Sequence, residues 1–87
     1  MRIDMFLRNS GIVPRRTLAQ KMCDGGLVKI EGKAAKPASA VEVGQEISLQ
    51  LGMSRRKYRV LELPNHPVAK RLRPEMAELL EREGIEE

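Results

Sequence analysis

The residues of this sequence that are best suited to chemistry are basic side chains near the N-terminus, and the chemistry that they suit is phosphate binding. Arg15 and Arg16 open a predicted helix, where planar guanidinium donors would lie beside free backbone N–H groups and the positive end of the helix dipole. Further basic residues lie off the apolar stripes or follow along the chain: Arg8, Lys21, Lys29, Lys33 and Lys36. The cluster favours an anionic partner, although any single arginine is also typical of a solvated face.

Residues typical of catalysis or of cofactor binding are few. His66 is the only histidine and lies in a predicted connector, and Cys23 is the only cysteine and falls on the apolar side of a predicted helix. The glycines have neither the spacing of a phosphate-binding loop nor that of a dinucleotide fingerprint. Glu75, Glu78 and Glu81 follow helical spacing, which favours a solvated face over a metal cluster. We therefore expect no enzyme activity, no cofactor and no metal site.

Positive charge is concentrated in the first part of the chain. Residues 1–73 contain fifteen of the sixteen Lys and Arg residues and six of the twelve acidic residues, a net charge of +9, whereas residues 74–87 contain one and six, a net charge of −5. The strongly basic segment 1–73 favours nucleic acid as the partner. Of the only two aromatic residues, Phe6 is assigned to the core stripe and Tyr58 to a strand, so no platform of exposed rings for stacking bases is expected. Recognition should then depend on phosphates and on the shape of folded RNA.

The sequence also limits where the protein would act. No stretch approaches the roughly 20 apolar residues that a membrane-spanning helix needs, and the N-terminus lacks the apolar run of a signal peptide. A single cysteine cannot form a disulfide framework. We expect a soluble, cytoplasmic protein that does not bind membranes.

Two short helices would position the basic residues. The first covers residues 2–10, where Ile3, Phe6 and Leu7 follow helical spacing. The second is predicted over residues 14–24, with Pro14 at its first position and Leu18 and Met22 on its buried face: the missing N–H of a proline costs nothing there.

Strands are predicted after the helices, because the apolar period changes. Residues 27–31, 47–51 and 57–63 have strand-like patterns, with a turn after the first strand at Glu31-Gly32 and a loop over residues 52–56. A final helix is predicted over residues 74–84. The order α-α-β-β-β-α predicts a small α+β domain.

Several groups of residues, in order along the chain, resemble the S-four-type (alpha-L) RNA-binding domain. They are Arg2-Ile3-Asp4 with Phe6-Leu7, Arg15-Arg16-Thr17-Leu18-Ala19, Cys23-Asp24-Gly25-Gly26-Leu27-Val28, and Gly32-Lys33. The resemblance covers residues 1–63 and implies a two-helix hairpin packed on a small antiparallel sheet. Residues 64–87 are expected to form a linker and a short acidic C-terminal helix. Glu31 stands where members of the family often have an asparagine.

Among stand-alone proteins of this fold, the chain is most similar to the RqcP-type bacterial ribosome quality-control factors. That resemblance implies a monomer that binds large ribosomal subunits carrying a stalled peptidyl-tRNA, contacts large-subunit rRNA and the tRNA, and supports alanine tailing by an RqcH-type factor. By position, Arg2 and Arg16 would be the principal RNA contacts, with Asp4 as an orienting or contact partner. The rest of the expected RNA-binding set is Arg8, Arg15, Thr17, Lys21, Lys33 and Lys36.

Other functions remain open at this point. The small ribosome-associated heat-shock proteins share the fold and act in recycling of large subunits, but the long basic extension associated with them is absent here. A helix-turn-helix DNA-binding regulator also has short basic helices, although such proteins usually pack a third helix against them. A structural ribosomal protein would bind every large subunit rather than selected ones.

Overall fold

The structure is a computed structural model that describes residues 1–84, and it begins with a helical hairpin. Helix α1 spans Ile3–Asn9 and helix α2 spans Arg16–Asp24. Apolar residues at helical spacing bury one face of each helix against the sheet: Ile3, Phe6 and Leu7 on α1, and Ala19, Met22 and Cys23 on α2. The predicted helical hairpin is therefore confirmed.

The second helix differs from its prediction in two details. It begins at Arg16 rather than at Pro14, because Arg15 is extended, with φ −140° and ψ 140°. The buried stripe runs through Ala19 and Met22, and Leu18 lies about 100° around the helix from Ala19. Leu18 is consequently 38% exposed, so its assignment to the core was wrong.

A five-stranded antiparallel sheet supports the hairpin, and this confirms the predicted α+β class. The strands are β1 Val28–Ile30, β2 Lys33–Ala34, β3 Glu46–Leu51, β4 Ser54–Val60 and β5 Ala77–Gly84, in the spatial order β2-β1-β3-β4-β5. The fully buried apolar side chains between sheet and helices are Ile3, Phe6, Leu7, Val13, Ala19, Val28, Val41, Ile47 and Val60. In the part of the chain that the structure covers, no helix is long and apolar enough to cross a membrane.

Two tight turns connect neighbouring strands. Ile30 pairs with Lys33 across Glu31-Gly32, and both turn residues have positive φ (50° and 78°), as a two-residue hairpin of the primed type requires. The predicted turn is confirmed. The loop predicted over residues 52–56 is shorter, because Leu51 pairs directly with Ser54 and the arginines that follow belong to β4.

The C-terminal part of the chain departs most from the prediction. After a 3₁₀ turn at Lys70–Leu72, helix α3 spans only Arg73–Met76, and residues 77–84 form β5 instead of continuing the helix. The apolar and acidic residues of 77–84 also fit helical spacing. If they were helical, however, β4 would be an unpaired sheet edge rich in basic residues. The register places Glu83 opposite Arg55, Glu81 opposite Lys57 and Glu78 opposite Arg59, so pairing along the strand outweighs the local helical pattern. Residues 85–87 of the predicted tail lie outside the described residues.

Candidate nucleic-acid interface

A buried carboxylate joins the N-terminal ends of the two helices. Asp4, in the first turn of α1, has no exposed side-chain surface. Its Oδ1 accepts hydrogen bonds from Arg2 Nε at 3.2 Å and from the Met5 N–H at 2.7 Å. Its Oδ2 accepts from Arg2 Nη2 at 3.1 Å, Arg16 Nε at 3.3 Å and Gln20 Nε2 at 3.0 Å.

These donors keep the Asp4 carboxylate charged. Burial raises the pKa of Asp4, but hydrogen bonds from Gln20, Arg16 and the Met5 N–H, together with the positive charge of Arg16, outweigh it. The pKa of Asp4 therefore lies below its ordinary value, and the group is ionised at neutral pH.

Asp4 holds two arginines while leaving much of each in solvent. The side chains of Arg2 and Arg16 are 46% and 43% exposed. Arg16 uses Nε for the carboxylate, and within residues 1–84 its two Nη atoms have no hydrogen-bond partner. One carboxylate between two guanidinium groups leaves a net positive charge, with planar N–H donors in fixed orientations. Such an arrangement suits a phosphate oxygen, because charge-assisted hydrogen bonds to guanidinium are strong and directional.

The loop that follows β2 also lies at this end of the hairpin. The N–H groups of Ile3 and Asp4 donate to the carbonyl oxygens of Ser39 (2.8 Å) and Pro37 (3.3 Å), and Arg2 forms an isolated β-bridge with Ala40. These bonds occupy free amides at the start of α1. Helix α2 instead has no side-chain cap, which leaves N–H groups beside Arg16 available to an anion.

The remaining predicted contact residues are distributed more widely. Arg15 and Thr17 are exposed at the start of α2, and Lys36 is exposed at the beginning of the loop that bonds to α1. Lys21, in the last turn of α2, and Lys33, on the outermost strand, are also exposed. Asp4 with Arg2, Arg16 and Gln20 forms a group of side chains that we call the Asp4 cluster. The structure brings Arg15, Thr17 and Lys36 to elements that meet this cluster.

Arg8 lies at the opposite end of α1 from Asp4. It is half-buried in the last turn of α1, about 9 Å from Arg2 along the helix axis.

Comparisons with known proteins agree with this architecture. The family model described as S4 domain matches residues 1–47. The RQC P-site tRNA stabilizing factor of Helicobacter pylori strain J99 is 44% identical over 64 residues, which are 74% of this chain and 76% of that protein. The factor of the same name from Bacillus subtilis is 40% identical over 63 residues, 72% of this chain and 73% of that protein. The chain belongs to the S4 domain family, among the RQC P-site tRNA stabilizing factors.

A solved structure extends the likeness beyond the S4 domain match. The trimeric structure of Heat Shock Protein 15 from Vibrio cholerae has a TM-score of 0.86 and 25% sequence identity, over 91% of this chain and 80% of that one. The resemblance inferred from the sequence is therefore confirmed. The S4 match ends inside β3, so β4, α3 and β5 lie beyond it, and the division of the chain at residue 63 stays a prediction.

Sequence reasoning missed one member of the Asp4 cluster. Gln20 follows Arg16 by four residues on α2, so both side chains face Asp4. That spacing is visible in the sequence, but a glutamine carries no charge and does not mark itself as part of an anion site. The hydrogen bonds that Ile3 and Asp4 donate to Ser39 and Pro37 were also missed, because their acceptors are backbone carbonyl oxygens, which any sequence provides.

Acidic residues of β3 and β5 form ion pairs with basic residues of β4 on the sheet. Lys57 Nζ lies 4.0 Å from Glu46 Oε1 and 3.9 Å from Glu81 Oε2, and Arg59 Nη2 lies 3.7 Å from Glu46 Oε2. Much of the positive charge of β4 is thereby compensated within the sheet. Among residues 1–84 no ion pair compensates Arg55 and Arg56 of β4 or the basic residues of 70–73, so positive charge is available to a partner there as well as at the helices and the loop after β2.

His66 and Cys23 occupy the environments that were predicted for them, whereas Glu78 and Glu81 lie on β5 and not on the expected helix face. His66 is exposed in the connector, and Cys23 is buried. Burial, followed by the charges of Asp4 and Asp24, raises the pKa of the Cys23 thiol to about 11, so the thiol stays protonated at neutral pH. Glu75, Glu78 and Glu81 are exposed. Within residues 1–84 no group of three or more side chains could hold a metal ion.

Proposed function

We propose that this protein binds large ribosomal subunits obstructed by peptidyl-tRNA and contacts both rRNA and tRNA there, without catalytic activity of its own. The observation that carries the proposal is the pair of half-exposed arginines, Arg2 and Arg16, fixed on the buried Asp4 carboxylate. Relatives of this chain are named for stabilising tRNA in the P site during ribosome quality control. In that setting it would act in the cytoplasm, as a monomer, and support alanine tailing by an RqcH-type factor.

The geometry supports phosphate contacts from several elements at once. Arg2 precedes α1, Arg16 opens α2, and Lys36 begins the loop whose carbonyls bond to α1. Contacts from three chain segments would touch more than one phosphate group. Two RNA molecules meeting on one particle would then raise the apparent affinity without any new chemistry. The phosphate-binding surface would be extended by Arg15, Thr17, Lys21 and Lys33. Arg8 would contribute from the far end of α1.

The test is a binding titration of labelled protein against purified large subunits, with and without peptidyl-tRNA, at near-physiological salt. We expect tighter binding to the occupied particles. Arg16→Ala should weaken that binding by about tenfold, as expected for the loss of one charge-assisted contact of roughly 1.4 kcal/mol. Arg71→Ala is the matched control, because Arg71 is exposed in the 3₁₀ turn outside the S4 match. Equal affinity for occupied and vacant subunits would contradict the quality-control function.

A heat-shock-type recycling function is the second candidate, and the likeness to Heat Shock Protein 15 supports it. The same titration separates the two functions when alanine tailing is measured in parallel. A quality-control factor should increase the tailing that a purified RqcH-type factor performs on obstructed subunits, and Arg16→Ala should abolish the increase. Binding without any effect on tailing would favour recycling. The DNA-binding alternative finds no support, since within residues 1–84 the hairpin packs on a sheet and no third helix lies against it.

A further inference from the structure

A cleft of about 660 Å³ lies at the other end of α1 from the Asp4 cluster. It is bordered by the α1–α2 loop, by β4 and by the segment from Arg73 to Leu79. Ser10 and Gly11, at its edge, follow α1, whereas Arg2 precedes it, so the cleft and the Asp4 cluster are separated by about 10 Å along the helix axis. Most of its lining comes from residues beyond the S4 match, which ends at residue 47.

Among residues 1–84, Arg56 has no carboxylate partner where it lines this cleft. It is half-buried, and its Nε is fully shielded from solvent with no hydrogen-bond partner in that part of the chain. Its Nη1 lies 3.5 Å from the Tyr58 hydroxyl oxygen. Its neighbour across the strands is Arg82, a like charge, whereas Lys57 and Arg59 on the opposite face are paired with glutamates. The Nε–H is shielded from the cleft as well, so an anion there would be attracted by the charge of Arg56 and would bond to Nε only after the side chain rotates.

Arg73 brings a second guanidinium group to the same cleft. Its aliphatic part and Nε lie directly against Gly11, where a Cβ atom would collide with them, and the φ of Gly11 is +83°. The lack of a side chain at Gly11 therefore leaves room for the Arg73 side chain. Glu78 is the acidic residue among those that border the cleft, but it lies opposite Arg59, so its side chain belongs to the other face of the sheet.

The rest of the lining is apolar and suits the flat face of a base. Ile12, Leu61 and Leu79 contribute aliphatic surface, and Leu79 is 49% exposed. Tyr58 adds an aromatic ring. The volume exceeds what one phosphate group needs and falls in the range of small-molecule sites, roughly 300–1,000 Å³. Unpaired bases of RNA are recognised by stacking on aromatic and guanidinium planes while their phosphates meet positive charge.

We propose that this cleft holds one unpaired nucleotide of the bound RNA, with its phosphate between Arg56 and Arg73 and its base against the apolar wall. The inference rests on the proposed function in one respect only, namely that the physiological ligand is RNA. The cleft would add a second RNA contact, formed by β4 and β5, to the contact made by helices α1 and α2.

The first test titrates the whole protein with adenosine monophosphate, inorganic phosphate and adenosine, and follows the arginine Nε–H signals by NMR. We expect the signals of Arg56 and Arg73 to shift with adenosine monophosphate. Its affinity should exceed that of inorganic phosphate by roughly fivefold or more, because stacking adds to charge attraction. Adenosine alone should bind more weakly than its monophosphate. Equal affinities for phosphate and nucleotide, or shifts at Arg2 and Arg16 alone, would overturn the proposal.

The second test compares variants in binding to large ribosomal subunits. Arg56→Ala and Arg73→Ala should each lower the affinity several-fold and make the dependence of log affinity on log salt less steep by about 1. Arg55→Ala and Arg71→Ala are the matched controls, because both residues are exposed and neither borders the cleft. Losses as large in the controls would overturn the proposal.

The two proposals fail in different ways. If the cleft variants unfold, the titration of the unaltered protein still decides whether a nucleotide binds there. Loss of the preference for occupied subunits, with nucleotide binding at Arg56 intact, would refute the quality-control function alone. A preserved preference with no response at Arg56 and Arg73 would refute the cleft alone.

Discussion

Asp4 is a charged residue in a position where burial by itself would favour the neutral form. Hydrogen bonds from Gln20, Arg16 and the Met5 N–H, together with the charge of Arg16, lower its pKa and reverse that preference, and Arg2 donates two further hydrogen bonds. Its complete burial favours an orienting function over direct contact with RNA. The sequence predicted the neighbourhood of Arg2 and Asp4 through the family resemblance, but the convergence of Arg16 and Gln20 on the same carboxylate depends on how the helices pack.

Asp4→Asn tests this arrangement through pH. Because the folded-state pKa of Asp4 lies below its ordinary 3.8, the stability that its charge provides is present above that pH and is lost as pH falls through the lowered value. At pH 7 the variant should be less stable by about 2 kcal/mol, since Arg2 and Arg16 lose a charged partner. The free energy of unfolding, measured in urea from neutral to acidic pH, should show this difference shrinking at the acidic end.

Asp24→Asn is the control for that experiment, because Asp24 is exposed at the end of α2. It should change stability little at any pH. A difference between the unaltered protein and Asp4→Asn that stays constant down to the most acidic pH would show that the carboxylate charge is not what stabilises the hairpin.

At the scale of elements, the local period of apolar residues was enough to predict both helices of the hairpin and strand β3. Each of these elements buries one face, so its pattern of apolar residues can be recognised from residues that are close together in the sequence. Strand β5 could not be predicted in this way, since the spacing of its residues also fits a helix. What selects the strand is the row of basic residues on β4, which is distant in sequence. Leu18 was misassigned for a related reason: on a short helix two neighbouring apolar positions compete for the inward face.

Leu7→Ala and Leu18→Ala measure where the core of the hairpin lies. Leu7 is fully buried, so removing its side chain should leave a cavity and cost about 2–5 kcal/mol. Leu18 is 38% exposed, and its truncation should cost less than about 1 kcal/mol. Urea unfolding of both variants checks the order. A larger loss of stability for Leu18→Ala would mean that the buried face of α2 does not run through Ala19 and Met22.

Glu81→Lys distinguishes a strand from a helix at the C-terminal end. In β5 the new lysine would lie directly opposite Lys57, and like charges across a strand pair should destabilise the protein by about 0.5–1 kcal/mol. Glu75→Lys is the matched charge reversal in α3, where no basic residue of β4 lies opposite. Thermal unfolding and hydrogen exchange of residues 77–84 report the effect. Equal small effects of both substitutions would contradict the pairing of β5 with β4.

At the scale of the whole molecule, the separation of charge was predictable from the sequence but its meaning was not. The acidic end first resembles a tail apart from the basic body. In the folded protein, Glu81 joins Glu46 around Lys57, so the acidic strand belongs to the sheet. Helices α1 and α2 keep a net positive charge, because Arg2 and Arg16 share the single carboxylate of Asp4, and Arg56 and Arg73 have no ion pair within residues 1–84. The number of phosphates that these groups contact sets how strongly RNA binding depends on salt.

Salt dependence gives the prediction for the complete protein. If roughly five phosphates are contacted, log affinity for large subunits should fall with log salt at a slope of about −3 to −5. Titrations at several concentrations of potassium chloride measure the slope. Lys57→Ala, on the compensated sheet, should leave the slope nearly unchanged, whereas Arg16→Ala should reduce its magnitude by about 1. A slope near zero would contradict phosphate-dominated binding.

The compensation of β4 by Glu46 and Glu81 also has a kinetic consequence. With one face of the sheet close to neutral and the hairpin strongly positive, the molecule carries a directed dipole. In the field of an anionic particle it would experience a torque that turns the hairpin forward before any contact forms. Encounters would then begin in a productive orientation more often than by chance, and the advantage would disappear as salt screens the field.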